Sequence, residues 1–224
     1  SVRARYGSKT INLGKRTIGA RRTETYNGRT RIPRPKLWDL DSPNLYPVSL
    51  AASAKKGKKS GQVATYKLKS GIRSVRVSGG RFELNFEPVQ FKGVGLHEDA
   101  PGMGAALNSA ERQKIVQLTQ QLGGKMLRSH YPLHPEIHEL ADKLGLMIWS
   151  EVPVYQVKST FIAKPALRRR AVEVLTKNIE TNQNHASVAL WSVANELASK
   201  PGPSQGNFLR KMVSAAKRLD PTRP

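Results

Sequence analysis

Four polar clusters stand where apolar runs stop. His97-Glu98-Asp99 follows "VQFKGVGL", Arg128-Ser129-His130-Tyr131 follows "KML", Glu151 follows "LMIWS", and Asn195-Glu196 follows "SVALWSVA". Carboxylates beside histidine and arginine, in a chain with no cysteine and no serine-nucleophile signature, suit general acid–base work on a polar uncharged substrate. Cleavage of a glycosidic bond asks for two such carboxylates, one of them protonating the leaving oxygen. Glu151 and Glu196 both qualify by position.

Each apolar run that carries a cluster is followed by a helical pattern. "NSAERQKIVQLTQQLGG" has Asn108 as N-cap with Glu111 three residues on, places Ile115, Leu118 and Leu122 on one face, and stops at Gly123. "HPEIHELADKLG" opens with Pro135 at the first helical position, turns Ile137, Leu140, Ala141 and Leu144 inward, and ends at Gly145. "KPALRRRAVEVLTKNIETN" turns Val172, Leu175 and Ile179 inward, and a last helix carries Phe208, Met212, Val213, Ala216 and Leu219. Four strand–helix repeats without hairpin signals require parallel strands covered by helices, in an open sheet or a (β/α) barrel. No G-x-G-x-x-G follows the first strand, which disfavours a dinucleotide site. In either architecture chemistry collects at the carboxyl ends of the strands, where all four clusters fall. On the barrel reading, Pro224 stands halfway round.

The first part of the chain reads as β structure. "IRSVRVSGGRFELNF" alternates around a Gly79-Gly80 turn, and "QVATYKLKSG" puts Ala64, Tyr66 and Leu68 on one face, which together suggest a sandwich. Residues 1–32 are too basic and unpatterned to place. The chain carries a net charge of +22, with 20 Lys+Arg against 5 Asp+Glu before Val89 and 18 against 11 after it. Lys55-Lys56-Gly57-Lys58-Lys59 and Arg21-Arg22 could attract phosphates, but they lack the interleaved aromatics on which bases stack, so solvated loops are the better reading and nucleic acid is not the expected partner. No signal-peptide pattern or membrane-spanning run is present, so the chain is expected to be soluble, with its compartment left open.

"FKGVGLHED", "RSHYPLHPEIHELADKLGLMIWSEVP", "NQNHASVALWSVANE" and the terminal "LDPTRP", in this order and spacing, resemble glycoside hydrolase family 2, the β-galactosidase and β-glucuronidase group. The likeness runs from Phe82 to Pro224, and "PKLWDLDSPNLYPVSL" followed by "GIRSVRV" resembles the immunoglobulin-like domain that precedes the family's barrel. It implies a multidomain protein, with an immunoglobulin-like β-sandwich over 1–88, incomplete at its start, and the first four β/α units of a (β/α)8 TIM barrel over 89–224. The implied activity is that of a retaining exo-β-glycosidase acting on a carbohydrate β-glycoside, without a cofactor. Glu196 would be the general acid/base, and Asn195 would bond the sugar 2-hydroxyl. His97, Asp99, Arg128 and His130 would line the subsite, and Glu151 would be a hydrogen-bond partner on the barrel floor. The nucleophile is expected at the end of a seventh strand beyond Pro224, so the segment alone is expected to be inactive and to associate or unfold.

Some positions depart from the family pattern. Ser129 alone separates Arg128 from His130, where two small residues are usual, which shifts Arg128 from its usual place. "NHAS" stands for "NHPS" and "NFEPV" for "NGKPV". "VPVYQVKS" lacks the Glu and His of the metal-dependent β-galactosidases, and His134 and His138 in "HPEIH" do not make H-E-x-x-H, so no metal is implied. Two alternatives remain: a non-catalytic carbohydrate-binding relative and, behind it, a basic nucleic-acid binder. Homo-oligomers of the whole enzyme are compatible with either glycan reading.

Overall fold

Alternation in the first 70 residues yields one antiparallel sheet. In the computed structural model, which describes all residues except Gly57, Lys58 and Phe91, strands β1 (Val2–Tyr6), β2 (Lys9–Gly14), β3 (Tyr46–Lys56) and β4 (Lys59–Ser70) pair in the order β2-β1-β3-β4. On β1, Ala4 is buried while Arg3 and Arg5 face solvent, which is why this strand carries almost no apolar signal. Of the lysine cluster at 55–59, Gly57 and Lys58 lie outside the described residues.

The Gly79-Gly80 hairpin forms as expected, with both glycines at positive φ, but it does not join that sheet. Strands β5 (Val75–Ser78), β6 (Arg81–Leu84) and β7 (Glu87–Pro88) make a separate three-stranded sheet. Val75 and Leu84 instead pack with Trp38, Met126, Met147, Ala186 and Ala189, so the hairpin covers the amino-terminal end of the parallel strands. The physical reason is apolar matching, since β5 offers only Val75 as a buried residue and its partner surface lies on the second half of the chain.

That second half is a parallel sheet. Strands β8 (Gly93–Gly95), β9 (Met126–Arg128), β10 (Met147–Glu151) and β11 (Val188–Ser192) lie in the order β11-β10-β9-β8, so sequence neighbours are spatial neighbours. Helices α1 (Ser109–Gln121), α2 (Pro135–Leu144), α3 (Ser159–Ile162) and α4 (Pro165–Asn182) supply the crossovers, and α5 (Pro203–Leu219) follows β11. Leu127, Ile148 and Val188 of the strands bury against Ile137, Leu175, Ile179, Phe208 and Met212 of the helices. Each such fully buried aliphatic or aromatic side chain contributes about 1.5–3 kcal/mol. Among the described residues no helix is long and apolar enough to cross a membrane.

Caps fall where the sequence puts them. Asn108 Oδ1 accepts from Glu111 N at 3.0 Å, Pro135 opens α2, and Gly145 closes it at φ +69°. Gly145 is needed twice over, because a Cβ there would also meet Leu40 O at 2.2 Å. One inward face differs. On α1 the buried residues are Val116 and Thr119, whereas Leu118 and Leu122 are exposed. The polar Thr119 turns inward because its hydroxyl donates to Ile115 O and so has no unmet donor.

A buried ionic cluster pins the amino end of β11. Asp220 Oδ2 accepts from Trp191 Nε1 at 2.9 Å and pairs with Arg223, whose guanidinium donates to Val188 O, Gln183 O and His185 O. Arg73 donates to Ala186 O and to the same Val188 O. Burial pushes the Asp220 pKa up, but the Thr222 hydrogen bond, the Arg223 charge and the Trp191 hydrogen bond outweigh it and leave the carboxyl below its usual value. The terminal "LDPTRP" therefore has a packing role.

Candidate active site

The site is made by an irregularity in the sheet. Ile148 pairs with Val188, but Trp149 pairs with Leu190 and Glu151 with Ser192, so Ala189 is an extra residue on β11. In a regular parallel pair Glu151 would stand beside Trp191. The bulge brings Ser192 beside it instead and turns Trp191 to the helix side, where it packs in the main core and reaches Asp220.

Glu151 is the hub. Its side chain has no exposed surface, and it accepts from Ser192 Oγ at 2.6 Å and Arg128 Nη2 at 3.2 Å, with His130 Nδ1 at 2.9 Å. A carboxylate so occupied is an anchor for its neighbours. The same Arg128 Nη2 donates to Asn195 Oδ1 at 2.7 Å, and the guanidinium stacks 4.8 Å from the Trp149 ring. Arg128 thus fixes which end of the Asn195 amide is held, and Asn195 Nδ2, though buried, has no partner among the described residues. An unmet buried donor of this kind costs about 1–3 kcal/mol unless a ligand satisfies it.

The outer wall is aromatic and imidazole. His97 lies 5.6 Å from His130 and 5.8 Å from Tyr131, and His130 lies 6.4 Å from Tyr155, centroid to centroid. Tyr131 accepts from Glu98 N at 2.7 Å, while Glu98 accepts from His134 N at the start of α2. Asp99 is exposed and makes no hydrogen bond or ion pair among the described residues.

Glu196 projects from the loop after β11. That loop is tied to the loop after β10 by Asn195 N to Val154 O at 2.8 Å and Gln156 N to Asn195 O at 3.1 Å. Gln156 Nε2 donates to Glu196 Oε2 at 2.7 Å. Gln156 and Glu196 both sit at φ +48°, the left-handed region, which costs a non-glycine residue about 1–3 kcal/mol and gathers at functional sites.

Of the residues expected from the sequence, Arg128, His130, Glu151 and Asn195 form one bonded cluster with His97 on its rim, Glu196 stands beside it, and Asp99 is outside these contacts. Trp149, Tyr155, Gln156 and Ser192 were not anticipated. Tyr155 and Gln156 follow the third strand and could have been flagged by that position, whereas Ser192 depends on the bulge. His134, four residues from His138, caps α2 by accepting from Glu136 N, and His138 is buried on the inner side of that helix.

Parallel strands in sequence order joined by helices, with a carboxylate–arginine–histidine cluster at their carboxyl ends, are the arrangement expected of part of a (β/α) barrel. Residues 75–224 match the profile described as glycosyl hydrolases family 2, TIM barrel domain. The chain belongs to glycoside hydrolase family 2. A beta-glucuronidase of Paenibacillus borealis is 34% identical over 211 residues, covering 88% of this chain and 34% of that protein. The solved beta-D-glucuronidase of Dictyoglomus thermophilum is 32% identical with a TM-score of 0.75, covering 85% of this chain and 34% of that one. A beta-galacturonidase of the same family from Eisenbergiella tayi, solved with galacturonate, has a TM-score of 0.89 over 100% of this chain and 39% of its own, at 23% identity, a likeness of fold. The chain spans about a quarter to a third of the length of the curated relatives it matches, 24% and 34% for the first two.

Proposed function

We propose that, in the whole protein, this segment supplies the acid/base half of a retaining exo-β-glycosidase acting on β-glucuronides or closely related β-glycosides. The observation that carries the reading is the pairing of roles at the end of β11. Asn195 is clamped by its oxygen with its NH2 group unmet, and beside it Glu196 is engaged only on Oε2 among the described residues. The buried Asn195 NH2 group would meet the sugar 2-hydroxyl, a contact that strengthens as the ring approaches an oxocarbenium ion. Glu196 would give its proton to the glycosidic oxygen as the bond breaks, and then take one from the water that releases the sugar. His97 and His130, with Asp99 at the margin, would face the sugar hydroxyls. Glu151 and Arg128 would hold Asn195 and His130 in place. The nucleophile is assigned to a second carboxylate, about 5–5.5 Å from Glu196, from a part of the barrel outside these residues. Residues 1–88 are assigned to an immunoglobulin-like domain and 89–224 to the barrel, with the β5-β6-β7 sheet seated against the barrel strands. The relatives' names support the sugar class.

Replacing Glu196→Gln in the whole protein is expected to lower kcat/KM on alkyl β-glucuronides by about a hundredfold or more, while sparing glycosyl-enzyme formation from activated aryl glycosides. Unchanged turnover of the alkyl substrates would remove Glu196 from the mechanism.

A further inference from the structure

We propose that Gln156 is a positioning residue that presents Glu196 for proton transfer, an inference that rests on reading Glu196 as the acid/base. The contact is delivered by backbone. The hydrogen bonds from Asn195 N to Val154 O and from Gln156 N to Asn195 O, with the bridge between Tyr155 and Asn195, carry the β10–β11 pairing past the strand ends. The next residue on each loop is thereby set beside the other, and both take the left-handed conformation. Gln156 Nε2 then reaches Glu196 Oε2 at 2.7 Å, leaving Oε1 as the oxygen that carries the proton.

A neutral amide suits a group that must give and take a proton in turn. When Glu196 is ionised, the N–H donates to a carboxylate oxygen; when Oε1 is protonated, Oε2 is a carbonyl oxygen and still accepts. An ammonium at the same place would favour the anion alone. In the first step the Glu196 O–H bond breaks, its proton joins the glycosidic oxygen, that oxygen leaves with the C1–O electron pair, and the nucleophile bonds to C1. In the second, water bonds to C1, the C1–nucleophile bond breaks, and the water proton returns to Glu196. One fixed hydrogen bond serves both steps.

The test compares leaving groups in the whole protein. Gln156→Ala is expected to lower kcat/KM on an alkyl β-glucuronide about tenfold, the weight of one hydrogen bond to a charged group. On the 2,4-dinitrophenyl glycoside kcat/KM should stay within about twofold of wild type, while kcat and KM fall together because release still needs the base. Gln156→Asn tolerates the left-handed backbone but falls one methylene short, so it should behave like Gln156→Ala. In a Glu196→Ala background, Gln156→Ala should add no further loss. Equal losses on both substrates, full activity in Gln156→Asn, or additive losses in the double variant would overturn the proposal. If Glu196→Ala shows the leaving-group signature and Gln156→Ala does not, the role of Gln156 falls alone; if Glu196→Ala lacks it, both readings fall.

Discussion

His138 should make this protein acid-labile in a way that one substitution removes. Its side chain is fully buried on α2, facing the His185 ring at 5.2 Å, with Asp142 on the same helix and His134 at its N-cap as the other titratable neighbours. Burial, aided by the His185 charge and opposed by the His134 carbonyl and Asp142, lowers the imidazole from 6.5 to about 4. Between those values the unfolded chain binds a proton that the folded chain refuses, so the His138 contribution is whole above pH 6.5 and is lost as pH falls towards 4. The two values give a loss of under about 1 kcal/mol at pH 6, about 2 at pH 5 and about 3 at pH 4. His138→Phe keeps a ring against His185 and removes Nε2, which has no partner among the described residues, so near neutral pH it should change stability by less than about 1.5 kcal/mol. Urea unfolding of the whole protein and the variant, followed by tryptophan fluorescence at several pH values, reads the difference. The variant should gain on the wild type by those increments as the solution is acidified. Parallel acid losses in the two proteins would refute the assignment.

Two further substitutions test the fold's local chemistry. Phe86 sits at φ +72° in the turn between β6 and β7, with Arg76 stacked 4.9 Å from its ring. Phe86→Gly trades that contact for relief of backbone strain and should be nearly neutral, whereas Phe86→Ala keeps the strain and should melt as if about 1 kcal/mol less stable than the glycine variant. Asp220→Ala strands the buried Arg223 charge and the Trp191 N–H, and should cost about 3–5 kcal/mol, read as a fall in thermal midpoint and soluble yield.

What the sequence discloses follows from how local each feature is. Asn108, Pro135 and Gly145 act within one turn of their helices, and their types alone mark where α1 and α2 begin and end. The inward face of α1 departs from its pattern because Leu118 and Leu122 look like core residues, while Thr119 satisfies its own hydroxyl and can be buried at little cost. The β1–β2 hairpin was invisible because only Ala4 of β1 is buried and its outward positions are arginines. At the site, the residue types at the strand ends were legible, but their partnership was not. The Ala189 bulge decides that Ser192, rather than Trp191, meets Glu151, and no periodicity reports one inserted residue. Gln156 carries no motif at all; only the pairing of two loops brings it to Glu196.

The carbonyl of Val188 accepts from both Arg73 and Arg223, one residue from before the barrel strands and one from near the end of the chain. This gives β11 a schedule. During synthesis Arg73 is already waiting when Val188 appears, but Arg223 follows only after α5 has been made, some seconds later at about 5–20 residues per second. Until then the strand that leads to Asn195 and Glu196 is held from one side, and the Gln183 and His185 carbonyls of the turn before it have yet to meet their donor. Ribosome pausing within α5 would therefore prolong the interval in which β11 is only half secured.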